Sequence, residues 1–89
     1  MIFDTHCHAF WCGLEQRPDE IFDAMRAERV IRSVQVGTDM VANQKALELA
    51  RRWGDNAWCS AGIHPTSCQD MSPDAALEIA SQLGKFINF

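Results

Sequence analysis

No stretch of the chain approaches the eighteen or so consecutive apolar residues of a membrane span, and the opening MIFDTHCHAFWC has neither the cationic start nor the long apolar core of a secretory signal. Those absences lead to the expectation of a soluble, cytoplasmic protein that does not engage a membrane. Basic residues are scarce too: eight lysines and arginines stand against twelve acids, for a net charge of -4. A broad cationic surface that holds duplex DNA by counterion release is thereby excluded, and any phosphate substrate would need a metal or local donors. The tight C-x2-C knuckle of zinc ribbons is also missing. Cys7, Cys12, Cys59 and Cys68 are spaced C-x4-C and C-x8-C where they are close, and without a secretory signal they read as buried structural thiols rather than disulfides.

What is present is an ordinary folded composition, 47% apolar and 22% charged, in 89 residues, which suits one small domain spanning 1–89. Apolar runs and period-two patterns predict strands near Ile2 to His6, Val30 to Gly37 and Ala57 to Ile63. Between them, Pro18 with Asp19 and Glu20 opens a helix that ends before Val30. A second helix is capped by Asp39, carries Ala42, Ala46, Leu49, Ala50 and Trp53 at helical spacing, and stops at Gly54; Glu48 and Arg52 form an i,i+4 pair on it. Ser72 and Pro73 start a third, with Ala76, Ile79, Ala80 and Leu83 on one face and Gly84 at its end. Strands alternating with helices predict consecutive βα units with a parallel sheet, an α/β fold. The tryptophans Trp11, Trp53 and Trp58 read as core or rim packing. Arg26, Arg29, Arg32, Arg51 and Arg52 read as solvated surface.

The residues that carry chemistry are the three histidines. On a strand, side chains two apart share a face, so His6 and His8 point the same way, with Asp4 behind them and Cys7 opposite. Two imidazoles at one strand end can hold a divalent ion, and Asp4 by parity could orient a ligand from behind. His64 follows the third strand, where Pro65 ends the strand and stiffens the turn. In a curled sheet all three would gather at one rim. The bland alternative is a pair of partly exposed histidines at a strand end. Another is a small zinc-binding or interaction module that adds Cys12, Cys59 or Cys68 as ligands.

The segments DTHCH, VGTD ending at Asp39, KALELA at 45–50 and GIHP at 62–65 resemble the TatD family of metal-dependent deoxyribonucleases, in order and close to its spacing. The resemblance reaches to about Leu83. It implies a hydrolase on a TIM (β/α)8-type barrel, of which this chain offers the N-terminal three βα units and is therefore incomplete. Divalent metal ions, with Mg, Mn and Zn not distinguished, would sit on His6 and His8. His64, matching the GIHP histidine, would lie near the substrate phosphate as a catalytic group. The reaction implied is hydrolysis of phosphodiester bonds in nucleic acid, at DNA 3′ ends, with the ion lowering the pKa of the attacking water. The G-E-x-G-L-D segment of the family and its later histidines and aspartate do not occur. The chain thus reads as a truncated copy, inactive alone or completed by another chain, with an open barrel edge that invites self-association.

Overall fold

The computed structural model describes residues 1–84; the closing KFINF lies outside them. Within that span run β1 (Ile2–Cys7), α1 (Pro18–Ala27), β2 (Val30–Val36), α2 (Met40–Trp53), β3 (Ala57–Ser60) and α3 (Pro73–Leu83). All three strands are parallel in the order β1-β2-β3. Parallel neighbours need a long crossover, and α1 and α2 supply the two. The expected α/β class is therefore present, as three parallel strands with their helices.

Local chemistry fixes the element ends. Pro18 occupies the first turn of α1 with Asp19 and Glu20 beside it, where acids suit the helix dipole. Asp39 caps α2 by accepting the Ala42 N–H at 2.7 Å, and Ser72 caps α3 by accepting the Ala75 N–H at 3.2 Å. Gly54, at φ 61, closes α2 in a conformation that favours glycine. β3 is shorter than its apolar run and stops at Ser60, although the backbone keeps pairing beyond it, with Gly37 N–H donating to Ser60 and His64 N–H donating to Thr38. Short 3-10 turns at Leu14–Gln16, Gly54–Asn56 and Pro65–Ser67 carry no apolar period and leave no signal in the hydropathy pattern.

One face of the sheet is covered. Ala42, Ala46, Leu49, Ala50 and Trp53 of α2 pack with Phe10 and Ala57, and Ile21, Phe22 and Met25 of α1 close over the same cluster. The alanine stripe lets α2 lie close to the strands, and fully buried Phe10 plugs the end near the β1 rim; emptying it by Phe10→Ala costs about 3–5 kcal/mol by cavity creation. The opposite face is open. Trp58 alternates with Ala57 and Cys59 and so points away from the helices, where its ring meets Phe3 at 5.6 Å. Ile2, Phe3 and Trp58 are each about half exposed.

One sequence expectation is corrected here. Arg52 does not pair with Glu48: it reaches across to α1 and grips both carboxylate oxygens of Asp19 at 3.0 and 2.7 Å, while Glu48 accepts from Gln44. A planar guanidinium favours that two-point contact over a single i,i+4 approach. The apolar stripe of α3 is uncovered among the described residues, with Ala76 and Ala80 exposed and Ile79 and Leu83 half-buried.

Candidate functional site

The site begins with an irregularity in β1. Asp4 and Cys7 pair with Ser33 and Gln35, which are two apart on β2 and so lie on one face; three steps on β1 thus match two on β2. That bulge breaks the parity that set Asp4 behind the imidazoles, while Cys7 keeps its expected place on the side away from them. The Asp4 carboxylate instead accepts the backbone N–H of His6 at 3.0 Å. Cys7 lies toward the helices, where burial first and the Asp4 charge second push its thiol above the usual range, against hydrogen bonds from Gln35 and Ser33.

His6 and His8 nevertheless stand side by side, with ring centres 5.2 Å apart and planes near perpendicular. His8 is closely confined. Its Nδ1 lies 2.7 Å from the Val36 carbonyl, an acceptor only, so Nδ1 carries the proton and Nε2 presents a lone pair. A metal-binding histidine characteristically donates its other ring N–H in this way, so His8 is oriented as a ligand and, with His6, offers two imidazoles of an ion's coordination shell. Trp11 stacks on the same ring at 3.8 Å, and Phe10 meets it edge-on at 5.9 Å.

His64 has the opposite tautomer. The Thr66 backbone N–H donates to its Nδ1 at 3.1 Å, with the Thr66 hydroxyl 2.8 Å from the same nitrogen. Nδ1 is therefore an acceptor and Nε2 carries the proton, which makes His64 a hydrogen-bond donor rather than a ligand at that atom. Pro65 begins the turn that brings Thr66 back onto the ring.

His6, His8 and His64 all line one cleft of about 540 Å³, together with Trp11, Thr38 and the turn at 62–67. The structure thus gathers the three histidines that the sequence singled out. It does not add the cysteines: Cys12 is exposed, Cys68 donates to the Pro65 carbonyl, and among the described residues no three His, Cys, Asp or Glu side chains form a metal-holding group. The zinc-module alternative loses its ligand set.

Two buried amides that sequence reasoning missed hold the histidine segments in place. Gln35, fully buried, accepts the Ala9 N–H at 2.9 Å and donates to Ser33 and Cys7, so it pins the chain one residue after His8. Asn43, also buried, makes a two-point contact with the Gly62 backbone, donating to its carbonyl and accepting its N–H, each at 3.1 Å, two residues before His64. Gly37 makes room for it, since a Cβ there would collide with the Asn43 side chain. The available signal was a polar residue at a core position, Gln35 within a strand pattern and Asn43 within the α2 stripe.

The family model described as TatD related DNase matches residues 3–87. The chain is also 31% identical over 74 residues to an uncharacterized metal-dependent hydrolase, YabD, of Bacillus subtilis (strain 168). That match covers 83% of this chain but 29% of the relative, so the chain spans less than a third of that protein's length.

Proposed function

The chain belongs to the family of TatD-related DNases, and from that membership we propose that it provides the metal-binding strand end of a metal-dependent hydrolase that cleaves phosphodiester bonds of nucleic acid at DNA 3′ ends. The observation that carries the reading is the hydrogen bond from His8 Nδ1 to the Val36 carbonyl, which leaves Nε2 free beside His6. His6 and His8 would hold the ion. A divalent ion bound there lowers the pKa of water and stabilises charge that builds on the phosphate. Imidazoles suit zinc or iron, whereas magnesium and manganese favour carboxylates.

The remaining work falls to this chain's own groups. His64, with its proton on Nε2, would donate to a non-bridging phosphate oxygen and orient the ester in the cleft. Backbone positions at 62–64, held by Asn43 and by the His64 N–H on Thr38, keep that donor from wandering. With two imidazoles and no third ligand among the described residues, ion binding by this chain is weak, and turnover needs a carboxylate from further chain or from a partner.

The test is release of nucleotides from a 3′-labelled single-stranded DNA, assayed with manganese or magnesium across a range of protein concentration. Little or no release is expected from the chain alone; release that requires the ion, rises with concentration and disappears in the His6→Ala, His8→Ala double variant would mean that a second chain supplies the missing carboxylate. Release that survives loss of all three histidines would contradict the site.

A further inference from the structure

We infer that Trp11 is a positioning residue for His8, an inference that rests on the proposed metal role of His6 and His8. Three observations converge on it. The indole lies flat on the imidazole, 3.8 Å away and 4° from parallel, which is closer and flatter than any other ring pair in the described structure. The turn beneath it is closed, with the Trp11 N–H donating to the His8 carbonyl at 3.2 Å and the Leu14 N–H donating to the Trp11 carbonyl at 3.0 Å. Immediately after it, Cys12 and Gly13 both take left-handed φ of 56 and 80°, which reverses the chain and holds the indole over the strand end.

Besides His8, the indole meets the Phe10 ring near-perpendicular at 6.2 Å, a contact that does not require it to lie flat on the imidazole. Trp11 is 44% exposed and stands outside the core cluster, whereas its neighbour Phe10 is buried in that cluster and anchors the turn. An exposed tryptophan held flat against a half-buried histidine restrains that ring. The Val36 carbonyl restrains His8 at one atom, which still permits the ring to swing about the hydrogen bond. Stacking removes that freedom by fixing the plane, and the edge of Phe10 blocks tilting. With Nδ1 engaged by Val36, Nε2 is the ring nitrogen left for a ligand role, and His8 lines the cleft shared with His6. A ligand fixed before the ion arrives loses less freedom on binding, so Trp11 raises affinity without touching the ion. The expected size follows from aromatic pairing, about two- to tenfold in dissociation constant.

The chain has three histidines, so their ring signals can be followed individually by NMR during titration with Zn2+. The variants are Trp11→Leu, which removes the flat ring, Trp11→Phe, which restores one, and His8→Ala. In the unliganded wild type, the His8 nitrogens should report a single Nδ1–H tautomer and ring protons shifted by the stacked indole. In Trp11→Leu, both signatures should fade at His8 while His64 keeps its Nε2–H tautomer, and the Zn2+ dissociation constant read at His8 should rise about two- to tenfold. Trp11→Phe should recover most of it.

Zn2+ affinity and tautomer in Trp11→Leu equal to wild type, with binding abolished in His8→Ala, would overturn the positioning role and leave the metal site standing. Undiminished binding in His8→Ala would overturn the metal site itself. If Trp11→Leu loses its fold, Trp11→Ala is read by the same outcomes, and a mixed His8 tautomer without the stacking shift in the folded wild type refutes the inference.

Discussion

Replacing Asn43 with alanine removes both hydrogen bonds to Gly62 and nothing else that is polar in the cleft, apart from a long contact to the Met40 sulfur at 3.8 Å. Each neutral hydrogen bond contributes about 0.5–1.5 kcal/mol net, so the pair is worth about 1–3 kcal/mol. Gly62 is half-buried, so water can reach its freed N–H and carbonyl and limit the further penalty. A central loss of about 2 kcal/mol lowers Tm by roughly 8–16 °C in a domain of this size. Urea denaturation measures the loss through the shift in midpoint at constant slope. The structural corollary is local: the NMR signals of His64, two residues along from Gly62, should broaden or shift while those of His8, held by Gln35 and Val36, should not. A variant within about 0.5 kcal/mol of wild type, or one that disturbs His8 and His64 equally, would refute the view that Asn43 staples the His64 turn.

Acid tests the link between α1 and α2. Hydrogen bonding from Arg52 holds the Asp19 carboxyl below its ordinary range, so the folded chain binds this proton later than the unfolded chain does. The stabilisation is present above the unfolded carboxylate value near 3.9 and is lost as pH falls through the lower folded value. Asp19→Asn should flatten that part of the stability profile by a small amount, because both side chains are exposed; an unchanged profile would contradict the assignment. The open face predicts association: sedimentation should show concentration-dependent oligomers that Phe3→Ser with Trp58→Ser reduces, and a strictly monomeric wild type would count against it.

Much of this architecture is legible in the sequence because its signals are local. Proline and acids at Pro18 to Glu20, Asp39 as a cap, Gly54 as a stop and Ser72 before Pro73 each act within one helical turn, and the helices begin and end where those residues stand. The histidine cleft was foreseeable for a similar reason, since strand ends in a parallel sheet share a rim. Long-range features were hidden. The β1 bulge depends on the register with β2, and no pattern within IFDTHC announces it. Arg52 chooses between Glu48 on its own helix and Asp19 on another, a choice made only when α1 and α2 pack. Gln35 and Asn43 interrupt apolar patterns, and their partners, Ala9 and Gly62, lie 26 and 19 residues away. Tautomers, too, are written in neighbours: Val36 for His8, and Thr66 for His64.

The most direct test of the account is isothermal titration of the folded chain with Mn2+ and with Zn2+, beside the His6→Ala, His8→Ala double variant. Weak, saturable binding of one ion per chain that vanishes in the variant, with far-UV circular dichroism unchanged, is the predicted result. Equal binding by the two proteins would place the ion elsewhere and contradict the claim that the first strand ends in a metal site.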